Sequence, residues 1–198
     1  MNTKCIILPD WQVQAARAGR LRAISVPMEP QPDHCHRDII GKPKPWDKAD
    51  WERLRPQAGD AEINPPWRQG DLLWVAEAWQ CVNRLSGCDR KTGRDGDESG
   101  VRYRATWQKC HSIGWRSAST MPRELSRLTL RVTGDAAACR LLDATPQEMG
   151  EEGIQDATYS KPAGTVEREW LAAWDARWPA RPSAGNPYRW LAGVEVVT

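Results

Sequence analysis

The stretch Arg127-Leu128-Thr129-Leu130-Arg131-Val132-Thr133 alternates apolar with polar residues, with Leu128, Leu130 and Val132 in one register and Arg127, Thr129, Arg131 and Thr133 in the other. A period of two is the pleat of a β-strand. The spacing therefore predicts a strand with one face in a core and a wet face presenting Arg127 and Arg131. Gly134-Asp135 follows as a turn signal, and Ala136 to Leu142 is expected to pair back as the second arm of a hairpin. Upstream, Leu72 to Trp79 is a compact apolar run of strand length opened by Gly70-Asp71. Cys5 to Leu8, Val101 to Ala105 and Trp190 to Val197 read as further short strands.

Helices fall between them. Trp11 to Ala18 is predicted helical and stopped by Gly19. Thr145-Pro146-Gln147-Glu148 has the form of a capping box with proline at the first helical position, and opens a short helix that ends by Gly153. Thr165 is expected to cap a longer helix through Trp178, in which Val166, Trp170, Leu171, Trp174 and Trp178 share one stripe that reads as core or docking surface. Pro27 to Pro66 holds eight of the fifteen prolines and is expected to be irregular, with at most a helical turn around Ala49 to Arg55. Asn83 to Gly100 reads as a glycine-rich, mixed-charge loop. Short strands interrupted by helices, without regular alternation, predict an α+β fold on a small, partly closed sheet or barrel. At 198 residues the chain is long enough to bury one ordinary core, so residues 1–198 are read as a single domain.

Hydrophobic residues make up 40% and charged residues 27% of the chain, which is globular composition. No apolar run approaches the roughly 18 residues of a membrane span, and the apolar start is too short for a signal-peptide core, so the expected location is cytoplasmic. Cys5, Cys35, Cys81, Cys88, Cys110 and Cys139 have no framework spacing and are expected to be reduced thiols. Asp33-His34-Cys35-His36 and Cys110-His111, with Cys81 and Cys88, match none of the paired spacings of structural zinc sites, so no metal is expected. No glycine-rich phosphate loop, nucleophile elbow or zinc-protease helix motif is present, so no cofactor is implied.

Two biases remain. The aromatic content is 12 tryptophans and 3 tyrosines with no phenylalanine, which suits either base stacking or the filling of a small barrel. The formal net charge of +2 hides an asymmetry: Val101 to Thr133 carries seven basic residues against Glu124 alone, while Asp143 to Trp178 carries eight acidic residues against three basic ones.

Five blocks carry a family resemblance. They are Gly70-Asp71-Leu72-Leu73-Trp74-Val75-Ala76-Glu77-Ala78-Trp79; Tyr103-Arg104-Ala105; Trp115-Arg116 leading to Met121-Pro122-Arg123; Ser126-Arg127-Leu128-Thr129-Leu130; and Asn186-Pro187-Tyr188-Arg189-Trp190. In this order they resemble the blocks of phage and prophage proteins of the ASCH family, within the PUA-like superfamily. The resemblance implies a small PUA-like β-barrel with flanking helices, here with insertions at about 28–69 and 82–100, encoded by a phage or prophage and acting in a bacterial host cell. It also implies an association with RNA and modified nucleobases. Small bacterial relatives that deacetylate acetylated cytidine use a Lys, a Thr and a later Glu. Aligned on Pro30-Gln31-Pro32, this chain has Leu21 and Ile24 at the first two positions and keeps only the Glu, as Glu77. A lone carboxylate cannot run covalent amide chemistry by that route, so the expectation leans away from an enzyme.

Glu77 is nevertheless the centre of the expected site. Alternation puts it on the face of Leu73, Val75 and Trp79, at a barrel mouth where a carboxylate accepts hydrogen bonds from a base edge; the alternative is a structural pairing with Arg104 or Arg123. Trp79, Trp115 and Trp190 are the stacking candidates. Arg20, Arg22, Arg116, Arg123 and Arg127 are candidates for phosphates, and Arg104 completes the ligand-binding set. The expected partner is RNA, another single-stranded nucleic acid or a modified nucleobase, with no membrane. Two alternatives stand beside it: a hydrolase or nuclease acting on RNA or nucleosides through Glu77 as its one catalytic residue, and a phage-encoded inhibitor of a host defence complex (an anti-CRISPR or similar) acting by protein contact.

Overall fold

A ten-residue strand, Tyr188–Val197, is the spine of the sheet. In the computed structural model, which describes residues 3–29, 31, 65–81, 101–107, 114–154 and 164–197, it is the last of eight strands. In chain order the elements are β1 (Thr3–Ile7), α1 (Asp10–Arg17), β2 (Ala23–Pro27), β3 (Leu72–Ala76), β4 (Trp79–Cys81), β5 (Val101–Tyr103), β6 (Thr129–Val132), β7 (Ala137–Arg140), α2 (Pro146–Glu151), α3 (Thr165–Arg177) and β8 (Tyr188–Val197). The order β1-β3-β6-β8-β2, with β7 also on β8, makes a mixed α+β fold whose sheet is antiparallel except for the parallel β1–β3 ladder. Strands β4 and β5 form a separate two-stranded sheet.

The expected β6–β7 hairpin does not form. β7 continues along the same side of β8 that β6 occupies, with Val132 opposite Val194 and Ala137 opposite Leu191. β8 is long enough for both partners, and the Thr133 N–H donates to the Gly193 carbonyl at 3.0 Å, so the chain passes Gly134-Asp135 without reversing. A Cβ on Gly193 would lie 2.7 Å from Thr133 Oγ1, so glycine is what permits this approach. β2 is a strand that the sequence reading did not identify. Ile24 and Leu21 lie in the main core with Leu73, Val75, Leu130 and Val194.

The capping box forms as expected: Thr145 Oγ1 accepts from the Glu148 N–H at 3.2 Å, and Glu148 Oε2 accepts from the Thr145 N–H at 2.7 Å. Past α2, Gly153 has φ +99°, and a Cβ there would lie 2.5 Å from the Cβ of Ala15 on α1. The start of α3 differs from expectation. Gly164, at φ +78°, is the N-cap, and the Thr165 hydroxyl accepts from Arg168 instead of capping. On α3, Trp170 and Trp174 are buried with Leu141 and Met149, which seats the helix on α2.

A buried polar network ties this helical layer to the sheet. Glu152 Oε1 accepts from Arg189 Nη1, while Oε2 accepts from the Ser25 hydroxyl at 2.8 Å and the Trp170 indole N–H at 3.3 Å. Arg189 is 0% and Glu152 3% exposed. The guanidinium also lies 3.8 Å from Glu148 Oε2 and over the Trp170 ring at 5.1 Å. Burial pushes the Glu152 carboxyl up, opposed by Arg189 and the two other donors. Gln12 donates to the Glu152 carbonyl at 3.3 Å and accepts from Arg177 at 2.9 Å; Arg177, lowered to about 10 by its own burial, also donates to the Ile7 carbonyl.

Among the described residues no helix is long and apolar enough to cross a membrane. Cys81 is disulfide-bonded, contrary to the expectation of six reduced thiols, while Cys5 and Cys139 are free. The possible turn at Ala49 to Arg55, the loop Asn83 to Gly100, most of Pro27 to Pro66 and the remaining Cys and His residues lie outside the described residues.

Candidate functional site

Glu77 sits where the β3 ladder stops. β3 ends at Ala76 and β4 begins at Trp79, and in the gap the Glu77 N–H donates to Met121 Sδ at 3.3 Å. The interruption resets the alternation on which the sequence reading relied. Leu73 and Val75 belong to the main core, whereas Ala76 and Trp79 join Val101, Tyr103, Met121 and Leu125 in a second one.

The partner of Glu77 is Arg127. Glu77 Oε1 accepts from Arg127 Nε at 2.7 Å and Oε2 from Nη2 at 2.9 Å, a side-on fork in which both carboxylate oxygens are used. The same guanidinium lies over Tyr103, its central carbon 4.0 Å from the ring centroid, and the Tyr103 hydroxyl donates to the Leu125 carbonyl at 2.7 Å. Glu77 is 1% and Tyr103 2% exposed. Arg127 is the outward member, at 12%. This corrects two expectations. β6 starts only at Thr129, so Arg127 precedes the wet face of the strand and turns inward because a buried carboxylate awaits it. Arg104 instead pairs with Asp10 at 2.6 Å, and Arg123 is exposed on the short 3-10 turn Arg123–Leu125.

The tryptophans do not form one platform. Trp79 is buried, its indole N–H donating to Thr120 Oγ1 at 3.3 Å and its ring covered by the Arg116 guanidinium at 4.8 Å. Trp190 is buried in another cluster with Met28 and Tyr188. Trp115 is half-buried next to Arg116, which makes an isolated antiparallel bridge to Trp79 beside β4. The sequence reading missed Trp107, which is 36% exposed and carries the Arg102 guanidinium over its ring at 4.1 Å. The only sequence signal for it was its place in the basic stretch. Arg20 and Arg22 are exposed on the turn between α1 and β2, and the Arg22 N–H donates to Glu151 there.

The basic stretch is less charged than its count. Arg104, Arg127 and Arg131 are matched by Asp10, Glu77 and Glu195. Arg102, Arg116 and Arg123 have no carboxylate partner among the described residues, and Lys109 lies outside them. Arg102, across from Gln80, and Arg116, across from Trp79, flank the two faces of the β4–β5 hairpin. Chemically, a carboxylate whose two oxygens are both held by a guanidinium is not free to take a proton from a nucleophile. Guanidinium groups resting on indoles keep their N–H edges for phosphate oxygens.

Four of the five sequence blocks meet around Glu77, through Trp79, Tyr103, Arg116 with Met121, and Arg127; the fifth begins β8 elsewhere. No protein-family model matches the chain, and no curated protein matches it. Among solved structures it is similar to the ASCH domain from Lactobacillus crispatus JV V101, at 9% identity and a TM-score of 0.44, over 98% of this chain and 79% of that one. The α+β assignment rests on the ladders described above.

Proposed function

We propose that this chain is a phage-type ASCH domain of the PUA-like class that binds single-stranded nucleic acid, or a modified nucleobase within it, around the two-stranded β4–β5 sheet and residues 114–125, in the cytoplasm of a bacterial host. The observation that carries this reading is the pair of guanidinium-on-indole contacts, Arg102 on Trp107 and Arg116 on Trp79, whose arginines have no carboxylate partner among the described residues. Trp107, 36% exposed, offers a base an aromatic face and the guanidinium groups of Arg102 and Arg116 hold phosphates, while Trp79 is buried and seats Arg116. The burial of Leu21 and Ile24 in the main core, at the positions where the resemblance would require Lys and Thr, favours binding over hydrolysis.

The test is the salt dependence of binding to a short single-stranded RNA. Each phosphate contact adds about 0.7 to the steepness of log K against log salt. Replacing Arg102, Arg116 and Arg123 together by Ala is expected to flatten the slope by about 2. Trp107→Ala should lower affinity with the slope unchanged, because stacking releases no ions. Absence of binding at low salt, or binding without salt dependence, overturns the proposal.

A further inference from the structure

The fork on Glu77 has the shape of a nucleobase contact already made by a side chain. Three features define it: a carboxylate with two acceptor oxygens, 1% exposed; a planar group presenting two adjacent N–H donors to it at 2.7 and 2.9 Å; and the Tyr103 ring, whose centroid lies 4.0 Å from the guanidinium carbon. Guanine contains a guanidine unit, and its N1–H and N2–H lie side by side on the Watson–Crick edge of a flat ring that stacks on aromatic side chains. Adenine presents only one donor on that edge, and cytosine presents its amino group beside an acceptor.

We propose that Glu77 and Tyr103 form a guanine-selective slot that Arg127 occupies while no ligand is bound. The inference rests on the nucleic-acid reading above and names the base that reading leaves open. A partner exchange keeps the hydrogen-bonding groups of the pair satisfied: the neutral guanine edge donates to the two Glu77 oxygens, and the displaced Arg127 takes a phosphate of the same ligand, so the ligand as a whole brings the negative charge that Arg127 gives up at Glu77. Two observations support exchange at this pair. Arg127 is the outward member, 12% exposed against 1% for Glu77, so it is the one of the pair that solvent or a ligand meets first. That side chain belongs to residues 126–128, between the 3-10 turn and β6; the backbone there is tied to β3 by the Val75 N–H donating to the Leu128 carbonyl at 3.0 Å, so the exchange moves a side chain on a fixed backbone. A guanosine without phosphate leaves Arg127 uncompensated and is expected to bind more weakly.

The probes are GMP, guanosine, IMP, AMP and CMP, together with oligouridine hexamers carrying a single internal G, inosine or A, titrated against the unmodified full chain at fixed salt. Inosine keeps N1–H and lacks the N2 amine. The G hexamer is expected to bind about tenfold or more tightly than the inosine hexamer, the cost of one lost hydrogen bond to a charged group, with the A hexamer weaker still. The same ranking among the mononucleotides places the slot's specificity in the free nucleotide; the ranking in hexamers alone places it in guanine within a chain. Glu77→Gln should abolish the G-over-inosine preference, and the wild-type comparison stands on its own should that variant fold poorly. Salt-dependent binding of all hexamers with equal affinity overturns the guanine slot and leaves the general binding reading intact. No binding of any hexamer overturns both.

Discussion

Glu152–Arg189 and Glu77–Arg127 are the same chemical pair in two surroundings. Glu152 is held by donors from three elements, Ser25 on β2, Trp170 on α3 and Arg189 on β8, and its arginine has no exposed surface. Glu77 is held by one arginine, which keeps 12% exposure and sits outside the strands. In the first, loss of one partner leaves the others fixed and a charge stranded among them. In the second, loss of the arginine opens a way for water or a ligand. Burial alone does not separate an architectural pair from an exchangeable one; the number of elements that converge on the carboxylate does.

Arg189→Met sharpens this contrast most. It strands Glu152 in a closed interior, and the expected loss is about 3–5 kcal/mol, read as a fall of roughly 6–20 °C in the thermal midpoint of the full chain. Arg127→Ala should cost less, about 1–3 kcal/mol, because the vacated side faces solvent and hydrates Glu77. Equal losses for the two variants in urea unfolding would erase the distinction. Glu29–Arg181 marks the solvent limit: both side chains are exposed, and Arg181 holds the Glu29 carboxyl below its ordinary range. Since the folded pKa is depressed, this pair contributes above the ordinary Glu pKa and its contribution fades as pH falls through the folded value. Arg181→Ala should therefore differ slightly from wild type at neutral pH, and the two melting curves should merge in acid.

Much of the scaffold was legible in the sequence because its causes are local. The period-two run ending at Val132 became β6, and Thr145 and Glu148 form the capping box their spacing announced. Trp170 and Trp174 occupy the buried side of α3, as their stripe predicted. What failed depended on distant partners. β7 had the right strand span but joined β8, a choice set by the length of β8 and the smallness of Gly193. β2 is five residues ending in proline, with too little pattern to stand out from the irregular segment that follows. At the site, Glu77 was visible as a carboxylate in an apolar run, but its partner was not, because the alternation of residues 127–133 placed Arg127 on the wet face of a strand that starts only at Thr129. Glu152 and Arg189 were seen only as members of neighbouring motifs. Nothing in Glu-Glu-Gly or Tyr-Arg-Trp says that residues 37 apart will meet without water.

The turn after α2 has a consequence for how this sequence can change. Gly153 is constrained twice, by a backbone angle of +99° that side chains with a Cβ disfavour and by Ala15, whose Cβ would lie 2.5 Å from a new one. Ala15→Gly would clear the collision but leave the backbone conflict, and it would weaken α1, where glycine is a poor helix former. Neither obstacle is removed by relieving the other. Any path away from glycine at this position must therefore change a backbone conformation and a turn–helix contact together, a step that no single substitution supplies.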